Sequence, residues 1–273
     1  MKNIAFGQYY PTNSPIHRLD GRTKILLAII YIVIAFFCRS LLSFAFLLFL
    51  TFATILATRI PLSVIMRSLR AIVFILIFTF VINMFFTAGD GTPIFSWWIF
   101  TLYAEGIWNA AFIAVRILCL ILGSTIFISY TTTPIELTHS IESLLSPLKK
   151  IKVPVHDFAM MMSIVLRFIP ALSEETDKIM TAQKARGADF TTGSVISRAK
   201  ALIPVLIPLF VSAFRRSDEL ATAMECRCYH GGQGRTKMNI SHMKVPDFAA
   251  LAIALVSSAA LILLNYIEIG YVM

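Results

Sequence analysis

Long apolar runs parted by short polar breaks set the plan of this chain before any motif is considered. The first two, Ile25–Cys38 and Leu41–Ala57, are separated only by Arg39 and Ser40. One helix through both would reach about 50 Å, well beyond the roughly 30 Å of a hydrocarbon core, so two spans joined by a tight turn are predicted. Arg59 to Arg70 places Leu62, Ile65, Met66 and Leu69 on one helical face, with Arg67 and Arg70 alongside and Pro61 near its start. That pattern predicts a short helix lying at the membrane interface. Ala71–Ala88 is a third span, ending in the turn-rich Gly89-Asp90-Gly91-Thr92-Pro93. Trp97, Trp98, Tyr103 and Trp108 follow and read as an aromatic belt. Ile107–Tyr130 is a fourth span and Phe248–Tyr266 a fifth.

Between the last two spans the periodicity changes to that of long amphipathic helices, punctuated by Pro134, Pro147, Pro154, Pro170, Pro204 and Pro208. Two apolar stretches inside this region, Phe158–Pro170 and Ala201–Phe214, resemble spans. The first is short and holds Arg167, and the second carries two prolines four apart. Both are expected to be partly buried helices at the inner surface. The expected architecture is an all-α, polytopic membrane helix bundle of about five transmembrane helices, with a cytoplasmic helical domain inserted before the last span. Its divisions fall at 1–130, with four spans and a cytoplasmic amino terminus, at 131–246, the cytoplasmic helical region, and at 247–273, the last helix.

Composition agrees with a membrane protein and orients it. The chain is 58% hydrophobic and 14% charged, with a mean hydropathy of +0.78; soluble domains carry roughly a quarter charged residues. With the amino terminus inside and five spans, the cytoplasmic segments hold 22 of the 24 lysines and arginines, leaving Arg39 outside and Arg116 within the bilayer. The net charge of +9 is therefore read as the positive-inside bias, not as a nucleic-acid surface. The cysteines, Cys38, Cys119, Cys226 and Cys228, form no disulfide framework. The amino-terminal residues, Met1 to Pro15, lack the pattern of a signal peptide.

Few residues point to chemistry. The glycine-rich Gly231-Gly232-Gln233-Gly234-Arg235-Thr236-Lys237 has Lys and Thr in the wrong order for a phosphate-binding loop and reads as a turn. Cys226, Cys228 and His230 would diverge on a helix and lack a fourth ligand, so no metal site is assigned. His139, His156 and His242 have no recognisable partners and read as surface groups. Arg116, about ten residues into its span, is either a fixed charge lining a path or a structural arginine held by carbonyls or by a polar group such as Asn83. The structural role is favoured, because one arginine makes no relay.

Two helical arms have a clearer logic. Glu174-Glu175-Thr176-Asp177 leads to Ala185-Arg186-Gly187, and Arg215-Arg216-Ser217-Asp218-Glu219 leads to Cys226-Arg227-Cys228. Each tip sets an arginine between small residues. Gly187 suits a left-handed helix closure and Arg186 the negative end of the helix dipole, which is the purely structural reading. The second arm aligns Phe210, Phe214, Ala221, Met224 and Cys228 on one face. Small flanks admit a partner backbone while the guanidinium fork donates several hydrogen bonds, so two tips mean two docking sites.

Residues along most of the chain resemble one family, the transmembrane T component of energy-coupling factor transporters, a branch of the ATP-binding-cassette importers. They include Ser14-Pro15-Ile16-His17-Arg18-Leu19-Asp20 with Arg22-Thr23-Lys24, and Thr131-Thr132-Thr133-Pro134 followed by Leu137. They continue through Leu166-Arg167-Phe168-Ile169-Pro170 and Gln183-Lys184-Ala185-Arg186-Gly187-Ala188-Asp189, then Ala223-Met224-Glu225 with Arg227 and Tyr229, before Gly234-Arg235-Thr236. The resemblance implies that the arms, at Ala185, Arg186, Gly187, Cys226, Arg227 and Cys228 with Asp189, Glu225 and Tyr229 in support, sit in grooves of two ATPase subunits. It implies a non-catalytic chain in the cell membrane that binds no cofactor itself, ATP and Mg belonging to the ATPases. It further implies a separate substrate-binding membrane subunit that captures a vitamin or metal ion. The alternative is a permease or scaffold conducting solute through its own bundle. One departure stands out: the family usually carries alanine and glycine where this chain has Cys226 and Cys228. Cys228 adopts a left-handed cap less cheaply than glycine, so the second helix is expected to continue to Gly231.

Overall fold

The structure is a computed structural model describing residues 9–86, 95–97, 100–190, 192, 194–231 and 242–266. Its order is α1 (Gly21–Phe37), α2 (Leu41–Thr58), α3 (Leu62–Phe86), a hairpin of β1 (Phe95–Trp97) and β2 (Phe100–Leu102), α4 (Ala104–Ser124) running into a π-helical turn (Thr125–Tyr130), α5 (Pro134–Leu144), a 3-10 turn (Ser146–Ile151), α6 (Val155–Ala185), α7 (Val195–Cys226) and α8 (Val245–Tyr266). The fold is helical, as expected. The hairpin, paired from Phe95 with Leu102 to Trp97 with Phe100, is a small addition that the expected all-α pattern did not include.

Residues 1–140 and 240–273 form one compact unit and residues 141–239 another. In the first, α1 packs on α4 and α8, α2 packs on the same two helices, and α3 packs on α4. Tyr31, Ala35, Phe44, Leu47, Cys119, Phe127 and Leu261 lie in its core. Close approach is enforced at Gly123, where a Cβ would overlap the Tyr31 ring. The Tyr31 hydroxyl is shared with Thr51 Oγ1 at 2.6 Å and reaches the Cys119 carbonyl at 3.1 Å, so the ring is keyed to α2 and α4 together.

The predicted break at Arg39-Ser40 is the α1–α2 turn. The interfacial segment and the third span prove to be one helix, α3, bent by 55° between Leu62–Arg70 and Ile72–Phe86. Pro61 stands just before its start, and Arg59 closes α2 in the left-handed region at φ 53°. Of the expected apolar face, Ile65 is buried while Leu62 and Met66 point outward. In the aromatic stretch Trp108 is 64% exposed; Trp98 and residues 89–93 lie outside the described residues.

The second unit corrects one expectation. α6 runs unbroken through Pro170, and α7 through Pro204 and Pro208. A proline deletes one hydrogen bond, and with long helical flanks the loss is absorbed. Both helices are thus long and apolar enough to cross a membrane, with 11% and 6% of their apolar windows buried, where partial burial was expected. α2, α4 with its π turn and α8 also pass that criterion, five in all, and α3 is a sixth if its bent halves count as one. The α6 and α7 helices pack on each other, leaving Phe158, Met161 and Val165 on α6 and Ile207, Phe210, Val211 and Phe214 on α7 exposed.

Candidate functional site: two matched helix closures

The arms end in the same backbone device. In the first, the Ala188 N–H donates to the Gln183 carbonyl at 3.0 Å and the Gly187 N–H to the Lys184 carbonyl at 3.0 Å. In the second, the Tyr229 N–H donates to the Met224 carbonyl at 3.0 Å and the Cys228 N–H to the Glu225 carbonyl at 2.8 Å. This pair of bonds, six residues closing on one and five on two, satisfies carbonyls that a helix end otherwise strands. It requires a left-handed residue, supplied by Gly187 at φ 90° and by Cys228 at φ 57°.

The closure therefore falls at Cys226, and the expected continuation to Gly231 does not occur. A non-glycine residue in the left-handed region costs about 1–2 kcal/mol. Two backbone hydrogen bonds, each worth about 1 kcal/mol net, offset that cost, and Cys228 is exposed so its side chain meets no obstacle.

Equivalent closures place Arg186 and Arg227 at equivalent positions, at φ −87°, ψ 6° and φ −93°, ψ 17°. Ala185 pairs with Cys226 and Lys184 with Glu225 in the same register. Both arginines and both pairs of small neighbours are exposed, and neither guanidinium makes a salt bridge among the described residues. Asp189 starts the next turn, accepting from the Thr192 N–H at 3.2 Å and from its hydroxyl. Tyr229 is half-buried, whereas Glu225 is exposed.

Arg116 is engaged with a backbone carbonyl and an aromatic ring. Its Nη2 donates to the Cys38 carbonyl at 2.7 Å and its guanidinium lies 5.2 Å from the Phe44 ring centroid. Asn83, the suggested partner, instead bonds the Thr79 carbonyl of its own helix at 2.9 Å. His156 is not a lone surface group: Nδ1 meets Glu142 Oε1 at 3.0 Å. His139 likewise has a partner.

The polar motifs of the first unit prove to be fasteners. Lys24, 1% exposed, donates Nζ to the Thr131 carbonyl at 2.8 Å and to Glu136 Oε1 at 3.1 Å. The Thr131 and Thr132 hydroxyls both bond the Phe127 carbonyl, at 2.9 and 3.0 Å, in the π turn. Thr133 accepts from the Glu136 N–H at 3.2 Å and Pro134 begins α5, as suits an N-cap followed by proline. Asp20 caps α1 through the Arg22 N–H at 3.0 Å.

Three residues escaped the sequence reading. Buried Asp247 accepts from the Asp20 N–H at 2.8 Å and the Lys244 N–H at 2.7 Å, tying α8 to the start of α1. Asn265 accepts from the Arg39 N–H at 3.2 Å and Ser43 Oγ at 2.7 Å and donates to the Phe37 carbonyl at 2.7 Å, clamping the α1–α2 turn. Glu136 is the third, as the partner of Lys24. An acid in the first turn of α8 and an amide at the end of an apolar run were the available signals.

Residues 12–238 match the family described as cobalt transport protein, CbiQ. The chain is 49% identical over 256 residues to the energy-coupling factor transporter transmembrane protein EcfT of Clostridium kluyveri, covering 94% of each. It is 51% identical over 239 residues to that of Brevibacillus brevis, covering 88% of this chain and 89% of the relative. With the EcfT of Bacillus subtilis the identity is 48% over 237 residues, covering 87% and 89%. Five membrane-length helices, two arginine-tipped closures and similarity along nearly the whole chain lead to one conclusion: this multi-pass membrane protein belongs to the CbiQ/EcfT family of energy-coupling factor transporter transmembrane proteins.

Proposed function

We propose that this chain is the coupling subunit of an energy-coupling factor importer in the cell membrane, and that it catalyses no reaction itself. The arginine tips face the cytoplasm and seat in two ATPase subunits, which bind the ATP and Mg. Their approach and separation on ATP binding and hydrolysis move α6 and α7. A separate substrate-binding membrane subunit reorients in response and releases a vitamin or metal ion inward.

The observation that carries this reading is the matched geometry of Arg186 and Arg227, kept even where a strained Cys228 must supply the turn. Similar closures suit similar grooves, as expected of two related ATPase chains. The exposed apolar stripes of α6 and α7 supply surface for a second membrane subunit. A permease is less well supported, since Arg116, the arginine counted along the fourth apolar run, is engaged with a backbone carbonyl.

Thiol labelling tests the docking. Cys226 and Cys228 are exposed, whereas Cys38 and Cys119 are buried. Adding the ATPase subunits to the purified chain should protect both tip thiols from maleimide. Unchanged labelling in an assembled complex would refute docking at the second tip.

A further inference from the structure

Residues 25–58 and 71–148 contain only two lysines or arginines, Arg39 and Arg116. Although far apart in sequence, both meet at the α1–α2 turn. Arg116 holds the Cys38 carbonyl at 2.7 Å, and Arg39, the next residue, has its backbone N–H fixed by Asn265 at 3.2 Å with its side chain exposed. The turn is thus secured by α4 and α8, with the Arg116 guanidinium held against it and the Arg39 side chain extending from it.

The level of this turn follows from helix length. α1 has 17 residues, about 25 Å at 1.5 Å per residue, so the turn lies near the membrane face opposite Arg22 and Lys24. With α1 taken as a span, as the proposed function has it, Arg116 comes to headgroup depth through its bond to the turn, although counting along α4 places it well inside the span. A guanidinium has five N–H donors. Arg116 gives one to Cys38, and its buried Nε has no partner among the described residues. No carboxylate among the described residues pairs with either arginine.

We propose that the α1–α2 turn is a binding site for the phosphate of an anionic lipid headgroup, held between the Arg39 and Arg116 guanidinium groups. Phosphate is the anion at this depth whose oxygens match the planar fork. A headgroup there would accept from the Arg39 guanidinium and from the Arg116 Nη hydrogens not given to Cys38, and would anchor the turn that Asn265 and Arg116 brace.

The test uses the full chain in vesicles of equal phosphatidylglycerol and phosphatidylcholine, with a photoreactive benzoylphenylalanine replacing Leu41, which is 50% exposed beside the turn. Mass spectrometry of the crosslinked lipid should show phosphatidylglycerol favoured about fivefold. Arg39→Gln should bring capture close to parity. A probe at Leu56, 61% exposed at the other end of α2, should be insensitive to that change. Because the Arg39 side chain is exposed and forms no salt bridge among the described residues, the variant keeps the assay interpretable. Equal capture of both lipids in the unaltered chain would overturn the proposal, as would a preference that survives Arg39→Gln. Competition by millimolar inorganic phosphate would identify a free ion as the occupant and also overturn it.

Discussion

Gly187 and Cys228 hold the same position in two equivalent helix closures, both left-handed, at φ 90° and 57°. Glycine adopts this conformation freely, whereas cysteine does so at a cost of about 1–2 kcal/mol. Cys228→Gly should therefore stabilise the second tip by about 1 kcal/mol, and Gly187→Ala should weaken the first by a similar amount. Amide exchange of Cys228 and Tyr229, or of Gly187 and Ala188, reports each change locally. Faster exchange in Cys228→Gly would contradict the closure described.

The Lys24–Glu136 pair predicts an asymmetry. Lys24 is 1% exposed at its side chain and Glu136 37%. Removing Glu136 strands a buried ammonium with only the Thr131 carbonyl, whereas removing Lys24 leaves a carboxylate that water can reach. Glu136→Ala should cost about 3 kcal/mol, and Lys24→Met less than that. Thermal unfolding in detergent gives the order, and equal losses would show that water reaches Lys24.

Gly123 should tolerate no larger residue. Its missing Cβ makes room for Tyr31, so Gly123→Val forces either the ring or α4 to move, at about 1–3 kcal/mol. Tyr31→Phe in the same assay should cost about 1 kcal/mol, the value of its shared hydrogen bonds. Gly123→Val combined with Tyr31→Leu should cost less than the two single changes added together, since the clash with the ring is removed.

Burial lowers the His17 pKa below its ordinary 6.5. The neutral ring fits its partners: Nε2 donates to the Tyr10 carbonyl at 3.0 Å and Nδ1 accepts from Ser14 Oγ at 2.7 Å. In the folded chain the proton binds less tightly than in the unfolded one, so this contribution to stability is complete above 6.5. It declines as pH falls below that value and is exhausted once pH passes the folded-state pKa. Unfolding midpoints measured from pH 7.5 to 5 should fall more steeply for the parent chain than for His17→Gln.

Much of this could be read from sequence, because lipid demands long apolar helices and the breaks between them are short. The α1–α2 turn at Arg39-Ser40 and the paired arginine tips were visible for that reason. The continuity of α6 and α7 was not, since Pro170, Pro204 and Pro208 are breakers only where the flanking helix cannot absorb a missing bond. Asp247 and Asn265 gave no periodic signal, and their partners lie 227 and 226 positions away. The end of the second helix falls at Cys226, short of the expected Gly231, because two backbone hydrogen bonds offset the side-chain cost at Cys228.

The most direct test of the coupling role is substrate uptake driven by ATP in vesicles holding this chain, the two ATPase subunits and a substrate-binding membrane subunit. Arg186→Glu combined with Arg227→Glu should abolish uptake and release the ATPases while the membrane helices keep their thermal stability. Undiminished uptake by that double variant, with the ATPases still bound, would contradict the account.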